Sequence, residues 1–329
     1  MLRILADTRW LGPHGIGRFA KEVLARLPDW TSVDVRGKPL SMLDPWRLAR
    51  AIRRAQADVY FSPGFNPPLG RPAPFVFTIH DLIHLTCPGE VGPTKRIYYE
   101  LVVKPAALRA FKVLTVSGYS RQQIIEWAHV PEDHVVVVGN AVGPRFTPNG
   151  PRHEPGYPYL LHVGNHKPHK NIPRLLQAFS ASLSEGFYLV LTGSASGQLN
   201  RLINRLHLGG RIMFSGLHDD DELAAYYRGA TAVILPSTCE GFGLPLIEAM
   251  ACGTPVVASN AASLPEVAGE AAVLVDPYDV DSIASAMRRI VEDAQLRATL
   301  SDRGLQRASA FTWEGTASMV AAVLEEAAE

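Results

Sequence analysis

The sequence predicts an α/β chain of two doubly wound, Rossmann-like domains facing a cleft. Three observations lead there. Short apolar runs alternate with amphipathic stretches along the whole chain, the pattern of parallel strands covered by helices. The 329 residues have room for two domains of about 150 each. In the middle, Pro144, Pro148, Pro151, Pro155 and Pro158 fall within fifteen residues, where a fixed φ and a missing N–H leave neither helix nor central strand. This stretch reads as the linker between domains at 1–150 and 151–310. With 47% hydrophobic and 19% charged residues the composition is that of a globular chain, which excludes bulk disorder. No apolar run approaches the ~20 residues of a membrane-spanning helix.

In the first half, strands are expected at 2–6, 59–61, 75–79, 113–116 and 135–138, with helices at 16–26, 45–55, 95–110 and 120–127. Beyond the prolines, strands recur at 159–163, 188–192, 212–214, 232–235, 255–258 and 272–275. A last helix, 313–326, has no strand after it. The opening residues are charged too early for a signal peptide and read as the first strand. Cys87, Cys239 and Cys252 are an odd, sparse set without metal spacing, which points to a reducing cytoplasm.

The formal net charge is zero, yet residues 1–150 carry 19 Lys and Arg against 12 Asp and Glu, and residues 151–329 carry 13 against 20. Such a basic half suits an anionic surface or an anionic lipid carrier. A nucleic-acid partner is not expected, because the cations are not interleaved with aromatics and no binding signature is present.

Ligands of doubly wound sheets bind beyond the carboxyl ends of the strands, often at helix N-termini where free N–H groups meet an anion. Three segments fit. Gly12-Pro13-His14-Gly15-Ile16-Gly17-Arg18 follows the first strand, and its glycines let the backbone approach a phosphate or a sugar; it lacks the G-x-G-x-x-G spacing of a dinucleotide site. Val163-Gly164-Asn165-His166-Lys167-Pro168-His169-Lys170-Asn171 follows the first strand of the second domain. Lys170 sits where a helix begins, against the helix dipole, unless it pairs with a phosphate. In the third, a strand ends at Pro236, a glycine loop turns, and a helix starts near Leu244. Glu240 lies in that loop and Glu248 one turn into the helix, where carboxylates can accept hydrogen bonds from sugar hydroxyls.

Glu240 and Glu248, with seven residues between them inside E-G-F-G-L-P-L-I-E-A-M-A-C-G-T-P-V-V, closely resemble the signature of the retaining glycosyltransferases with the GT-B fold (glycosyl transferases group 1). Gly15-Ile16-Gly17-Arg18, Thr78-Ile79-His80-Asp81-Leu82, Val116-Ser117-Gly118-Tyr119-Ser120-Arg121, Lys170-Asn171 and Phe311-Thr312-Trp313-Glu314 resemble further segments of that family, so the likeness covers nearly the whole chain. The resemblance implies that Glu248 binds the ribose of a nucleotide sugar and Glu240 the hydroxyls of the donor sugar. The backbone at Gly241, Phe242, Gly243 and Leu244 would lie near sugar and diphosphate. Lys170 would neutralise the diphosphate, Gly15 would let the first domain close on it, and His80 would lie near the anomeric centre. A C-terminal helix, 311–329, is expected to cross back to the first domain. Two departures stand out. Asn165 occupies a position where many members have arginine, and Asn140-Ala141 replaces Asn-Gly.

The resemblance further implies a front-face reaction in which the leaving diphosphate helps take the acceptor's proton, so the protein positions the reactants and stabilises departing charge. No metal and no cofactor is expected. Asp219-Asp220-Asp221-Glu222 and Asp279-Val280-Asp281 read more simply as helix caps than as metal ligands. His162, His166 and His169 near Lys170, and His80 with His84, lack the third converging ligand of a zinc site.

The overall pattern looks most like bacterial polysaccharide enzymes that use GDP-mannose. The expected function is therefore transfer of a sugar, mannose from GDP-mannose, to a hydroxyl of a glycan or lipid-linked acceptor. The alternatives are a UDP-sugar-dependent enzyme of the same fold and a non-catalytic sugar-nucleotide-binding subunit. A nicotinamide oxidoreductase is disfavoured by the absent dinucleotide fingerprint. Arg47, Arg50 and Arg54 share a helix face near Trp46, and 95–112 combines five cations with Tyr98 and Tyr99. Both stretches suit peripheral contact with an anionic membrane at the inner face of the cell membrane.

Overall fold

The computed structural model describes residues 2–35, 37, 39–87, 89–90, 92–182 and 186–329. The chain divides into two compact units, one of Met1–Thr86, Val91–Asn140 and Thr312–Glu329, the other of Cys87–Glu90 and Ala141–Phe311. Each holds one six-stranded parallel sheet. The first runs β2-β1-β3-β4-β5-β6, from β1 (Ile4–Ala6), β2 (Trp30–Ser32), β3 (Val59–Ser62), β4 (Phe75–Thr78), β5 (Lys112–Thr115) and β6 (Val135–Val137). The second runs β12-β11-β10-β7-β8-β9, from β7 (Tyr159–His162), β8 (Tyr188–Leu191), β9 (Ile212–Phe214), β10 (Ala232–Leu235), β11 (Val256–Ser259) and β12 (Ala272–Val275).

The central strands are short and apolar throughout, because helices cover both faces of each sheet. Val59–Ser62, Phe75–Thr78, Tyr159–His162 and Ala232–Leu235 are buried at every position. The edge strand β2, paired with β1, leaves Thr31 and Ser32 exposed. Its three residues, Trp30-Thr31-Ser32, make no apolar run, so pattern alone passes over it.

Two expected elements take a different form. Residues 95–110 do not make one helix: Pro93–Tyr98 is followed by a π-helical stretch, Tyr99–Val103, and then by Lys104–Ala107. Pro105 has no N–H for the preceding turn and its ring crowds it, and the wider stretch accommodates both. Tyr98 and Tyr99 are buried in the core of the first unit, so they are not a surface pair.

The proline-rich segment is also not a free linker. It belongs to the second unit, and the boundary falls at Asn140/Ala141 rather than at 150. The Arg228 guanidinium donates to the carbonyls of Pro151 (2.7 Å) and Thr147 (3.1 Å), and the Phe146 ring meets the Tyr227 ring edge-on. Proline frees no carbonyl of its own from hydrogen-bonding need, and Arg228 supplies the donors.

Helix Trp313–Ala328 packs within the first unit on helix Gly15–Leu24, with Trp313 against Phe19 and Glu314 paired to Arg26 at 2.9 Å. Beyond the carboxyl ends of β1 and β3 lies a buried polar network. Arg9 bridges Asp7 and Asp44 at 2.6 Å each, and both carboxylates are fully buried. Asn66 donates to Asp7 at 2.7 Å and accepts from Ser62 and Trp10. Burial pushes the Asp44 carboxyl up despite Arg9, whereas at Asp7 the Arg9 contacts outweigh burial and hold it down.

Replacing Arg9 with methionine leaves two buried carboxylates uncompensated and is expected to destabilise the first unit by about 3–5 kcal/mol near neutral pH. The Asp7 pKa then rises above its unfolded value and that of Asp44 rises further, so the defect grows with pH and shrinks on acidification towards pH 5. Urea denaturation at the two pH values checks both the size and the sign.

Candidate functional site

In the second sheet the chain runs outward from β7 to β9 and then returns to place β10 on the other side of β7. At such a reversal the loops after the two flanking strands lie together beyond their carboxyl ends. Those are the loop carrying Asn165 to Lys170, after β7, and the loop carrying Glu240 to Gly243, after β10. Two hydrogen bonds to the His169 carbonyl, from the Thr238 N–H (2.8 Å) and more weakly from its hydroxyl, join them.

Lys170 Nζ donates to Glu240 Oε1 at 2.6 Å, with side chains only 9% and 12% exposed. Burial alone would raise the Glu240 carboxyl, but the charge and hydrogen bond of Lys170 hold it below the usual carboxylate range. Lys170 ends a 3-10 turn (Pro168–Lys170) rather than opening the following helix, Ile172–Ser182. Its stem crosses Gly164, where an added Cβ would sit 3.1 Å from Lys170 Cε, so glycine there gives the lysine its path. Asn171 adopts φ +59° and donates to the Pro236 and Pro277 carbonyls, which makes it a brace between loops.

Gly243, at φ +95°, precedes helix Leu244–Ala251; a Cβ there would meet Leu264 Cδ2 at 2.5 Å, so no side chain fits. Gly241 and Phe242 are buried, the Phe242 ring edge-on to Phe311, which leaves the backbone of this turn as its polar feature. Glu248, 4% exposed on the second turn of the helix, accepts from the Tyr227 hydroxyl at 3.0 Å. Near the same loop, Asn165 is exposed and lines a cavity of about 400 Å³ together with Gly164, His166, Thr192, Gly193, Gly216, Leu217 and Leu223.

The three histidines of this region have separate partners. His162 donates to the Ile234 carbonyl, His166 to the Thr192 carbonyl, and His169 to the Glu90 carboxylate, each at 2.8 Å. Glu90, from the short Cys87–Glu90 segment, also lies 3.5 Å from Lys167. Cys87 and Cys239 form a disulfide, a pairing that their sparse spacing did not signal, and Cys252 is free.

In the first unit, Gly15 opens helix Gly15–Leu24, capped by His14, whose Nδ1 accepts from the Gly17 N–H at 2.9 Å. His80 follows β4, and its Nε2 lies 2.9 Å from the Pro63 carbonyl. A carbonyl only accepts, so Nε2 carries the hydrogen. Burial brings the His80 pKa down to about 4. The ring is therefore neutral at physiological pH, and Nδ1 offers a lone pair: it can accept from a hydroxyl but has no proton to give.

Residues 146–307 match the family model for glycosyl transferases group 1, and residues 7–146 match that for glycosyltransferase family 4. The chain is 36% identical over 289 residues to the O-antigen chain mannosyltransferase B of Escherichia coli, covering 83% of this chain and 75% of that protein. It belongs to the group 1 glycosyltransferases. It is 34% identical to the MMP alpha-(1->4)-mannosyltransferase of Mycolicibacterium hassiacum, over 77% of this chain and 66% of the other. Against the serotype-specific mannosyltransferase WbdA of Escherichia coli it is 30% identical over 64% of its own length, and it spans only 28% of that relative. Among solved structures, a sucrose-phosphate synthase from Thermosynechococcus elongatus superposes with a TM-score of 0.78 at 21% identity, covering 99% of both chains. Anabaena Alr3699/HepE in complex with UDP and glucose does so with 0.77 at 18%, covering 99% and 100%. These likenesses identify the fold as GT-B.

In this glycosyltransferase the sequence singled out Lys170, Glu240 and Glu248 but carried no sign of the Lys170–Glu240 contact or of the Tyr227 hydroxyl that meets Glu248. Tyr227 sits in the unremarked run Ala224-Ala225-Tyr226-Tyr227, and Glu90 lies far away in sequence; neither carries a local signal. Asp219 and Asp279 cap helices by accepting from the N–H groups of Glu222 and Asp281, as expected of them.

Lys170→Met and Glu240→Gln should each lower stability, and the double substitution should lose less than their sum, by a coupling of about 1–3 kcal/mol. Denaturation of the four proteins in the absence of ligand measures it. Additive losses would show that the pair contributes nothing to the free protein.

Proposed function

We propose that this glycosyltransferase moves mannose from GDP-mannose, with retention at the anomeric carbon and without a metal ion, to a hydroxyl of a glycan or lipid-linked acceptor in polysaccharide or glycolipid synthesis. The Lys170–Glu240 pair beside a glycine-started helix that carries Glu248 is the observation behind it. A buried ammonium there can take charge from a leaving diphosphate, the task that a divalent cation performs in other transferases. The mannosyltransferases among the relatives favour mannose as the sugar.

In this reading Glu248, held by Tyr227, accepts from ribose hydroxyls and Glu240 accepts from the donor sugar. The backbone from Gly241 to Leu244 faces the sugar and diphosphate. The cavity lined by Asn165 has the volume of a nucleoside site. Lys170 exchanges part of its contact with Glu240 for the diphosphate as charge develops. In the first unit, His80 accepts from a sugar hydroxyl through Nδ1, and Gly15 gives the backbone close approach to the ligand. The catalytic residues proposed here are Glu240 and Lys170 of the second unit and His80 of the first.

Thermal denaturation with saturating GDP, UDP, ADP or dTDP tests the donor. At about 100 times its Kd, the right nucleotide stabilises by roughly 2.7 kcal/mol. A shift with GDP alone, lost in Glu248→Ala and unaffected by EDTA, is expected. A shift with UDP alone would replace mannose by a UDP-linked sugar, and nucleotide binding without turnover would make the chain a binding subunit.

We also propose peripheral contact with an anionic membrane at the cytoplasmic face. Met42, Leu43 and Trp46 are each more than half exposed at the start of helix Asp44–Ala55. Arg47, Arg50 and Arg54 line a groove of about 970 Å³ along the same helix, with the Arg50 guanidinium 5.8 Å from the Trp46 ring. Apolar side chains beside clustered cations match an interface of acyl chains under acidic headgroups. Sedimentation with vesicles of phosphatidylglycerol should carry the protein down, and Arg47→Glu/Arg50→Glu/Arg54→Glu should leave it in the supernatant. Equal sedimentation of both would remove this surface from the account.

A further inference from the structure

The mechanism leaves one covalent feature unused. Cys87 is bonded to Cys239, the residue before Glu240, across 152 positions of sequence. Cys87 is fully buried and Cys239 partly exposed. A tight turn follows Cys87, closed by the Glu90 N–H on the Cys87 carbonyl at 3.1 Å, with Gly89 at φ +84° taking the position that a side chain would strain. The turn sets the Glu90 carboxylate on His169 Nδ1 (2.8 Å) and beside Lys167 Nζ (3.5 Å). Its side chain is 6% exposed, so it is seated against His169 and Lys167 rather than resting over them. His169 and Lys167 belong to the loop that ends in Lys170. An anion brought to this loop therefore meets a carboxylate already in place.

We propose that Cys87 and Cys239 are a reversible redox modification site, and that the closed disulfide holds Glu90 as an internal anion that weakens diphosphate binding by the Asn165–Lys170 loop. The effect on the donor rests on the reading of that loop as the diphosphate site. The chemistry is thiol–disulfide exchange with a small thiol such as glutathione. Its thiolate attacks Sγ of Cys239, the less buried partner, forming a mixed disulfide and releasing Cys87 as a thiol once it takes up a proton. A second glutathione thiolate attacks the glutathione sulfur, freeing Cys239, so two electrons and two protons enter the protein while two glutathiones become glutathione disulfide. Oxidation by glutathione disulfide runs the same steps backwards.

With the bond closed, the turn is tethered and Glu90 is present at Lys167 and His169 at high effective concentration; with it open, that concentration falls and a competing anion gains. The position of the bond also explains why the pair acts on this loop and not elsewhere. One sulfur is three residues from Glu90, and the other neighbours the carboxylate that pairs with Lys170.

The full-length protein is equilibrated in glutathione buffers from reduced to oxidised, the Cys87–Cys239 bond is followed by mass spectrometry, and inorganic pyrophosphate binding is measured by calorimetry in each state. The disulfide should open and close across the series, and reduction should tighten pyrophosphate about tenfold. Glu90→Gln should recover most of that gain while still oxidised. Cys87→Ser/Cys239→Ser should bind as the reduced protein does in either buffer, and circular dichroism checks that it is folded. A bond unaltered across the series, equal affinities in the two states, tighter binding when oxidised, or no pyrophosphate binding in either state would each overturn the proposal. The nucleotide reading is scored separately by GDP against Glu248→Ala, so a failed switch and a failed donor site give different results.

Discussion

Everything chemical in the second unit follows from the point where its sheet reverses direction. Because β10 returns to lie beside β7, the loops after these strands leave the sheet together. Two charges from those loops, Lys170 and Glu240, are then buried against each other at 2.6 Å. Neither could stay ionised alone at that depth, since desolvating a lone charge costs several kcal/mol. Each loop is consequently held in place by the other's charge. In the proposed function, a ligand with its own negative charge meets a cation that is already engaged and shares Lys170 with Glu240.

The first unit meets the corresponding reversal, between β1 and β3, with a network instead of a pair. Arg9, Asp7, Asp44 and Asn66 join the stretch after β1 to the stretch after β3, and the latter supplies the Pro63 carbonyl that takes the His80 hydrogen. The tautomer of His80 is thus set by backbone that lies next to this network. Rigid placement of the groups behind a functional side chain is a general requirement for holding its geometry within a fraction of an ångström.

The sequence made the fold legible because parallel strands buried on both faces leave dense apolar runs, and eleven of the twelve strands carry one. The edge strand Trp30–Ser32 does not, since two of its three residues are polar and exposed. The two-glutamate element was legible because its glycines, proline and carboxylates fall within one turn and one helix. What pairs with what was hidden. Tyr227 reaches Glu248 from the neighbouring helix, Glu90 reaches His169 across 79 positions, and Cys87 reaches Cys239 across 152. Contacts of that span depend on the packed fold and leave no periodic trace. The proline-rich segment misled for a related reason: proline rules out helix and sheet, but it does not decide whether a side chain elsewhere, here Arg228, binds the segment down.

That last contact bears on how enzymes of this architecture can be recombined. Helix Asp220–Gly229 directs two adjacent residues to different duties, Tyr227 to the carboxylate of Glu248 and Arg228 to the carbonyls of Thr147 and Pro151. The stretch entering the second unit is therefore part of the scaffold behind Glu248. A chimaera that exchanges halves between relatives keeps this scaffold intact when it is spliced ahead of Ala141. A splice among the prolines gives Arg228 foreign carbonyls and shifts the helix that carries Tyr227.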